Sequence, residues 1–474
     1  MLFNSFEFFL FLPVVFILYW FVFHKSLKWQ NALVLIASYF FYGWWSWPFM
    51  TLLMGSTLLD YLYGFGVASS DRKKAKLFLW LSVVNNLGIL GIFKYYNFFA
   101  LEFQQGLDLL GFHTNPYLLK VALPIGISFY TFHGMSYVFD IYRGQQKPVR
   151  NFVDYAVFVS FFPLLVAGPI ERANHLLPQV QKARSFRYQQ ALEACRLILW
   201  GLFKKVVIAD SIAQVIDPIF MHYTDHSGLT LLLAAIGFSI QIYGDFSGYS
   251  DIALGTAKLF GFELLSNFRF PYFSRDVAEF WRRWHISLSS WFKDYLYIPL
   301  GGSRVGKYKA VRNTFIIFLV SGFWHGASWN FIVWGFIHAC GFLPLLLLER
   351  NRKHLSEVVA QEQLLPNLKE LFQMLGTFAF VTFAWIFFRA NTLTDATQYI
   401  HQLFTNLPQT KGIEGKSILF WGALLLSLDW YLRHNERNLR VPVNRTLRTG
   451  IYFSFALAVL LKIGSHQSFI YFQF

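Results

Sequence analysis

The sequence predicts an all-α integral membrane protein. Specifically, it predicts a polytopic bundle of about eleven transmembrane helices, with re-entrant and interfacial helices around an internal cavity. Hydrophobic residues make up 55% of the 474 positions and charged residues only 14%, whereas roughly a quarter of a soluble domain is charged. Apolar stretches follow one another with short polar breaks. Pro and Gly interrupt some of these stretches, which lipid tolerates only where protein or water covers the freed backbone groups.

Candidate membrane segments occur from one end of the chain to the other. About 20 apolar residues are needed for each crossing. Such segments begin near Phe6, Asn31, Thr51, Leu77, Leu118, Phe152, Ala191, Leu229, Thr314, Ser328, Leu371, Ser417 and Gly450. Several are short or broken, so some are expected to re-enter rather than cross. We predict a single domain over 1–474, with its histidine-bearing core at about 240–340.

The charged loops predict the orientation of the first helices. Basic residues follow the first span at 25–28, the third at 72–76 and the fifth at 143–150. The turn at 43–48 carries three tryptophans and no charge. Cytoplasmic loops are enriched in Lys and Arg, while tryptophan collects at membrane interfaces. The three basic loops are therefore predicted to be cytoplasmic, which places the N-terminus outside.

The formal charge of +15 has three possible explanations, namely nucleic acid, anionic lipid headgroups and phosphorylated substrates. In a membrane protein most Lys and Arg mark cytoplasmic loops. We therefore expect membrane lipid as a partner and no nucleic acid. The two cysteines, Cys195 and Cys340, lie far apart in apolar segments, which favours neither a disulfide framework nor a thiolate metal site.

Two apolar segments are interrupted by Pro and Gly together. They are Leu123–Ile127 (LPIGI) and Val166–Ile170 (VAGPI). Backbone groups freed at such breaks must be covered by protein or water. The pattern is compatible both with helices curled around an internal cavity and with ordinary packed kinks.

The densest basic region lies at 267–313. Within it, Asp276 can cap a helix, and Glu279 follows three residues later in the capping-box arrangement. The helix is predicted to continue to about Tyr297.

This helix is predicted to be amphipathic. With a step of about 100° per residue, His285 lies at the edge of an aromatic stripe, and Arg282 and Arg283 lie on the opposite side. Such a pattern is typical of an interfacial helix. His285 is expected to face inward, either as a packing residue or as a functional one. The two arginines are expected to face headgroups or a phosphorylated ligand.

A second histidine lies in the run Ser321–Asn330 (SGFWHGASWN), which closes one apolar segment and opens the next. An ionisable side chain among apolar residues is costly in a membrane, so a functional role for His325 is the default hypothesis. Gly322 and Gly326 flank it and would let another backbone or a slender substrate chain approach closely. Trp324 and Asn330 of the same run are candidate substrate-binding residues.

The chemistry that best suits these histidines is acyl transfer. Imidazole titrates near neutrality and can take a proton from a hydroxyl group as it attacks a thioester. No nucleophile elbow for a Ser-His-Asp triad is present. His338 lies too far along the chain from His325 for helical metal-ligand spacing, so no metal is expected.

A third polar group of residues occupies Gln241–Asp251 (QIYGDFSGYSD), among apolar segments. Asp245 and Tyr249 could line a substrate path or orient a histidine. Polar groups at such depth also commonly pair with one another for structural reasons. Both interpretations remain open.

The runs Phe280–Ser289 (FWRRWHISLS) and Asp294–Gly302 (DYLYIPLGG) resemble the membrane-bound O-acyltransferase (MBOAT) family. The branch is the one that acts in alginate O-acetylation. The resemblance covers nearly the whole chain, from Met1–Ser5 through Pro124–Tyr130 to Phe469–Phe474.

The resemblance implies site residues and substrates. His325, in Trp324-His325-Gly326, matches the essential histidine of the family, and His285 matches its second histidine. Acetyl-CoA is the implied cytoplasmic donor, and the basic residues near His285 would receive its phosphates. The acyl group would pass through the protein to an extracytoplasmic polysaccharide such as alginate. An extracytoplasmic SGNH-type, AlgJ-like acetyltransferase is the implied partner, and the bacterial cytoplasmic (inner) membrane is the implied location.

Other functions are compatible with parts of the pattern. The same family contains teichoic acid D-alanyl transferases and proteins of peptidoglycan acetylation. A transporter would also have broken helices and intramembrane His and Asp, although no inverted repeat is visible. A non-catalytic scaffold of a polymer-export complex would need His325 only for folding.

Overall fold

A computed structural model describes residues 1–304, 306–355, 357–406, 415–437, 444–462 and 469–470. The last four residues of the terminal run used for the resemblance lie outside these ranges. Within the ranges all regular structure is helical, as predicted. The chain forms two compact units, Met1–Ala191 with Thr256–Leu265, and Leu192–Gly255 with Ser266–Phe474. The single domain over 1–474 stays a prediction.

The first unit is built from nine helices of the described chain. They are α1 (Phe6–Ile17), α2 (Leu27–Gly43), α3 (Trp47–Val67), α4 (Arg72–Leu90), α5 (Tyr96–Leu109), α6 (Ile127–Tyr142), α7 (Phe152–Ser160), α8 (Phe162–Leu165) and α9 (Ala173–Val180). Helices α3, α4 and α6 pack together, and α2 packs against α7. Short π-helical segments extend α1 and join α4 to α5.

The second unit contains the predicted histidine core. Its helices are α10 (Tyr188–Leu202), α11 (Asp210–Met221), α12 (Gly228–Leu259), α13 (Val277–Arg283), α14 (Ile286–Phe292), α15 (Lys307–His325), α16 (Trp329–Leu347), α17 (Leu368–Arg389), α18 (Leu393–Thr405), α19 (Lys416–Leu432) and α20 (Arg445–Lys462). The first residues of α10 and the last turn of α12 belong to the first unit. Helices α15 and α16 form a tightly packed hairpin, and α17 packs against α16.

Polar residues next to the apolar runs determine where several helices begin. The side chains of Ser26 and Asp71 accept hydrogen bonds from backbone N–H groups in the first turns of α2 and α4. Asn367 and Glu370 form a reciprocal capping box at the start of α17. Such caps satisfy N–H groups that have no partner within the helix.

The described helices include four that are long and apolar enough to cross a membrane. They are Arg72–Leu109, Gly228–Leu259, Trp329–Leu347 and Leu368–Arg389. Two shorter apolar helices, Phe6–Val22 and Phe152–Leu165, supplement them. The total of about eleven crossings stays a prediction.

The two predicted Pro/Gly breaks adjoin each other in the first unit. Gly126 has φ +73°, and a Cβ atom there would lie 2.0 Å from the carbonyl oxygen of Leu165. The predicted span near Leu118 is therefore wrong in position, because the chain becomes helical only at Ile127. Pro124 and the left-handed Gly126 prevent the helix from starting earlier.

The orientation of the first helices can be tested by single-cysteine labelling. Residues placed at Lys28, Lys73 and Gln145 should react with a membrane-impermeant thiol reagent only from the cytoplasmic face, because all three lie in or next to basic loops. A cysteine at Ser46, in the tryptophan-rich turn, should react only from outside. Labelling of Ser46 from the cytoplasmic side would contradict the predicted orientation.

Candidate functional site

His285 lies at a sharp break between two short helices. Helix α13 ends at Arg283, and α14 begins at Ile286. His285 itself has φ 41° and ψ 55°, a left-handed conformation. Such a conformation costs a non-glycine residue of order 1–3 kcal/mol and is concentrated at functional sites. The side chain is 1% exposed, so its inward orientation is confirmed.

The predicted continuous helix from Asp276 to Tyr297 is therefore wrong. The side chain of Asp276 caps α13 by accepting from the N–H of Glu279 at 2.7 Å, as predicted. The helix nevertheless stops because the Ile286 N–H donates to the carbonyl oxygen of Asn267 at 2.9 Å instead of continuing the helical pattern. The Ser287 hydroxyl also donates to the Asn267 side chain, at 2.6 Å.

His325 is the last residue of α15, directly before the turn into α16. Gly326 is extended (φ −164°), and Ser328 caps α16. His325 is 5% exposed. Aromatic rings surround it, with centroid separations of 5.2 Å to Trp334 and 5.3 Å to Phe388.

The two glycines beside His325 admit the next helix of the same chain. A Cβ atom at Gly322 would lie 2.1 Å from the carbonyl oxygen of Phe331, and one at Gly326 would lie 2.1 Å from the Phe331 ring. Of the two alternatives that the sequence left open, the structure favours close approach of another backbone over close approach of a substrate chain. The absence of side chains at Gly322 and Gly326 thus allows α15 and α16 to pack closely.

The structure brings the two predicted histidines to the same tryptophan. The ring centroid of Trp324 lies 4.9 Å from that of His325 and 6.0 Å from that of His285. Phe246 of α12 packs edge-on against His285 at 4.7 Å. His285, Trp324 and His325 are all buried. Residues 40 positions apart therefore form one compact aromatic site, which we call the histidine site.

The histidine site can provide neutral imidazole. His285 lies between α13 and α14, outside the four helices long enough to cross a membrane. Burial lowers the pKa of its imidazole below the ordinary value, so the neutral form prevails at neutral pH. A neutral imidazole has one acceptor nitrogen and one N–H, which are the groups that general base catalysis requires.

Arg282 contacts the polar loop that follows α16. Its guanidinium donates to the carbonyl oxygens of Asn351 at 2.8 Å and His354 at 3.0 Å. These are contacts to the protein backbone. They support a role in holding the loop, and binding of a phosphorylated donor by Arg282 stays a prediction.

Arg283 is held in a similar way. It donates to the Glu279 carboxylate at 2.8 Å and to the carbonyl oxygen of Glu357 at 2.8 Å. Arg275 donates to both oxygens of the Glu279 carboxylate. Burial acts to raise the pKa of Glu279, but the hydrogen bonds from Arg275 and the charge of Arg283 outweigh it and hold that pKa below its usual range. Glu279 therefore stays ionised at neutral pH and binds both Arg275 and Arg283.

The remaining predicted substrate-binding residues have protein partners of their own. The Asn330 amide donates to the carbonyl oxygen of Ala390 at 2.7 Å. The Asp245 carboxylate forms an ion pair with Lys205 at 2.6 Å, and the Tyr249 ring lies 5.6 Å from the same lysine. Asp245 and Tyr249 thus belong to a separate polar cluster, whereas Trp324 contacts the rings of both histidines.

Two structural features were not predicted from the sequence, namely the buried lysine pair and the hydrogen bond of His338. Lys204 and Lys205 are buried, and their signal was a lysine pair inside the apolar run 200–209. His338 was considered only as a metal ligand, but its Nδ1 accepts from the indole N–H of Trp281 at 3.3 Å. That bond connects α16 to the helix that precedes His285.

The described residues contain no group of three or more His, Cys, Asp or Glu side chains that could hold a metal ion.

Comparison with known proteins identifies similar chains. A family model described as the membrane-bound O-acyltransferase family matches residues 131–385, which include His285, His325 and His338. A probable alginate O-acetylase (AlgI) of Pseudomonas putida is 37% identical over 100% of both chains. The corresponding protein of Pseudomonas aeruginosa is 40% identical, over 85% of this chain and 75% of its own. A peptidoglycan O-acetyltransferase of Helicobacter pylori is 35% identical, over 84% and 79%.

The role of the flanking glycines can be tested with Gly322→Ala. The added methyl group would overlap the Phe331 carbonyl, and such overpacking typically costs about 1–3 kcal/mol. We expect a lower thermal unfolding midpoint for the detergent-solubilised protein. Gly376→Ala is the matched control, because nothing lies within 4 Å of a Cβ atom there. An unchanged midpoint for Gly322→Ala would contradict the close packing of α15 on α16.

The arginine contacts predict the behaviour of Arg283→Gln. Loss of the bonds to Glu279 and Glu357 should release the loop after α16, which would appear as faster limited proteolysis between 349 and 367 and as lower accumulation in the membrane. Lys309→Gln, an exposed substitution in the same basic region, should change neither. A raised Michaelis constant for the acyl donor, with the loop still protected and the change mimicked by salt, would instead support binding of donor phosphates.

Proposed function

Because the chain belongs to the membrane-bound O-acyltransferase family, we propose that it moves acetyl groups from a cytoplasmic thioester donor to hydroxyl groups of an extracytoplasmic polysaccharide such as alginate. It is an enzyme, an O-acyltransferase, rather than the transporter or scaffold that the sequence left open. The identity of the donor, the direction of transfer and the identity of the acceptor are what we propose beyond membership of the family.

The observation that supports this function best is the pair of buried histidines whose rings both pack against Trp324. Both lie in the segment that matches the family. Each is enclosed by aromatic rings, Phe246 beside His285 and Trp334 beside His325. Exclusion of water from such a site would protect a thioester or an acyl intermediate from hydrolysis.

In the proposed reaction a hydroxyl oxygen attacks the carbonyl carbon of the thioester while an imidazole nitrogen takes the hydroxyl proton. The carbon–sulfur bond then breaks, and the proton passes to the departing thiolate. An ester and a free thiol are the products, and no oxidant or metal is needed for the balance. We assign the proton transfer to His325 and a supporting role beside the same tryptophan to His285.

His325 could also carry the acyl group itself. Attack by the imidazole on the thioester would give an acyl-imidazole, from which a hydroxyl would then accept the acyl group. General base assistance contributes about 10²- to 10⁴-fold to the rate. The residual activity of a histidine variant therefore helps to distinguish the two roles.

Acetyl-CoA is the proposed donor. Arg282 and Arg283 bond to backbone carbonyls of the loop after α16. Binding of the acetyl-CoA phosphates by these two arginines is therefore tested separately. A partner protein of the SGNH, AlgJ-like type is proposed to complete transfer to the polymer outside the cytoplasmic membrane.

The acceptor has one serious alternative. The Helicobacter pylori relative is named a peptidoglycan O-acetyltransferase and aligns over 84% of this chain, so peptidoglycan is the second candidate polymer. The named teichoic acid D-alanyltransferase of Bacillus subtilis aligns over only 45%, which makes D-alanyl transfer the weaker alternative.

The central prediction concerns His325→Ala. The substitution should abolish acetyl transfer from acetyl-CoA in proteoliposomes, tested against a panel of alginate and peptidoglycan acceptors, because it removes the imidazole that takes the hydroxyl proton in the proposed reaction. His285→Ala should reduce the rate strongly and leave a trace.

The control is His401→Ala, an exposed histidine of α18, which should retain full activity. All three variants should accumulate in the membrane and elute from size exclusion like the unmodified protein. Normal acetyl transfer by folded His325→Ala would overturn the catalytic assignment.

A further inference from the structure

A buried cluster of charged residues in the second unit is not explained by the histidine site. Two lysines follow α10 in a π-helical segment, Phe203–Ala209. Four carboxyl groups from α11, α12 and α19 surround them. We call these residues the lysine–aspartate cluster, and its members are Lys204, Lys205, Asp210, Asp245, Asp251 and Asp429.

Each lysine of the cluster has its own partners. The Lys204 ammonium lies 2.7 Å from the Asp251 carboxylate and donates to the Ser247 hydroxyl at 2.8 Å. Lys205 lies between two carboxylates, 2.7 Å from Asp210 and 2.6 Å from Asp245. Three of the four carboxyl groups are therefore in ion pairs.

The fourth, Asp429, has no ion pair among the described residues. Its Oδ2 accepts from the Tyr243 hydroxyl at 2.6 Å, and its Oδ1 has no hydrogen-bond partner there. Asp429 is only 1% exposed. An ionised carboxylate in that position would be buried with a single hydrogen bond and no cation in contact, which is a costly arrangement.

The net charge of the whole cluster also indicates that some of its carboxyl groups are protonated. Fully ionised, four carboxylates and two ammonium groups would carry a net charge of −2 within a buried core. Asp210 also has one oxygen, Oδ2, without a hydrogen-bond partner in the described part of the chain. Buried groups of this kind neutralise by binding protons far more readily than they remain charged.

A small cavity reaches the cluster. Its volume is about 20 Å³, enough for about one water molecule, and its lining includes Lys204, Tyr243, Asp251, Asn435 and Glu436. The Glu436 side chain is 25% exposed. Since Tyr243 both lines the cavity and bonds to Asp429, it connects that carboxyl to the exposed edge at Glu436.

We propose that the lysine–aspartate cluster is a proton-binding site. Two protons balance its charge at neutral pH, one on Oδ1 of Asp429 and one shared by the Asp210–Asp245 pair. For exchange with solvent, the Asp429 carboxyl group turns so that its protonated oxygen faces the Tyr243 hydroxyl. The Tyr243 oxygen takes that proton as its own hydroxyl proton passes to solvent in the cavity beside Glu436. Chains of acidic side chains at membrane depth are typical of proton relays.

An alkali cation is a poorer fit to the same position. The Lys204 ammonium already occupies the place between Asp251 and Ser247, and it lies 5.8 Å from the Tyr243 ring that faces Asp429. A second cation would be repelled by it.

Other charged groups near Asp429 do not balance its charge either. Helix α11 also packs against α19, but its Asp217 is paired with Arg389 at 2.9 Å. Lys205 and Asp210, on the segments that pack against α19, pair with each other. Among the described residues, the charged and titratable groups that act on Asp429 are Lys204, Tyr243 and Asp251.

The cluster lies next to the histidine site. Phe246, one residue after Asp245, contacts His285 at 4.7 Å, and the Tyr243 ring lies 6.2 Å from that of Trp284. A proton held here would be close to the groups that exchange protons in acyl transfer. The proposal itself concerns the resting protein and does not depend on that reaction.

Infrared difference spectroscopy of the full chain in lipid nanodiscs tests the proposal. The difference spectrum between neutral and alkaline pH should contain the carbonyl stretch of a carboxylic acid that is protonated at neutral pH and loses its proton at alkaline pH, and Asp429→Asn should lack one such band. Asparagine matches the shape of the protonated acid, so this variant should fold. Glu436→Gln should keep the band but slow its shift on transfer to deuterium oxide.

Two further variants keep the test decisive. Asp225→Asn, which removes an exposed carboxyl, should leave the protonated bands unchanged. Tyr243→Phe should shift the Asp429 band without removing it, and this result carries the test if Asp429→Asn does not fold. The proposal fails if folded Asp429→Asn keeps every protonated-acid band, if Tyr243→Phe shifts none, or if the bands respond to sodium instead of pH.

Discussion

Hydrocarbon offers no hydrogen bonds, so every polar group that this chain places among its apolar helices must find a partner within the protein. The described structure meets that constraint in several ways. Asp60 accepts from Ser82 at 2.6 Å and from Asn86 at 2.9 Å, with no cation involved. Lys205 is held between two carboxylates. His338 is joined to Trp281. The break after Arg283, the buried Lys205 and the buried His338 thus lie where such partners are available.

The histidine site uses the same constraint for chemistry. Aromatic rings enclose His285 and His325 and exclude water, yet they leave the imidazoles capable of accepting protons. The Trp324 ring packs against both histidines. His285 has a left-handed backbone conformation, which is unfavourable for a non-glycine residue and is maintained by the surrounding structure. A rigid, dry pair of bases suits transfer of an acyl group, because water would compete as an acceptor.

The predictions that failed or changed did so where a distant partner outweighed local preference. The periodic pattern around His285 favoured one helix to Tyr297, but the Asn267 carbonyl takes the Ile286 N–H and ends α13 early. Helical phase predicted that Arg282 lies on the opposite side of the helix from His285. It could not show that backbone carbonyls of the loop after α16 would occupy the guanidinium. The helix predicted to begin near Leu118 begins instead at Ile127, because Gly126 is left-handed and packs closely against the Leu165 carbonyl.

By itself, the sequence determined the class of the protein, the helical character of the described chain and the approximate positions of many of its apolar helices, and it predicted the two histidines of the candidate site. These features depend on composition, hydrophobic period and capping residues, which act over a few neighbouring positions. Only the tertiary structure decided that His285 and His325 share Trp324, that Lys205 lies between Asp210 and Asp245, and that Tyr243 bonds to Asp429. Such pairs join residues up to 186 positions apart. Their formation depends on how helices pack, and no local pattern in the chain records it.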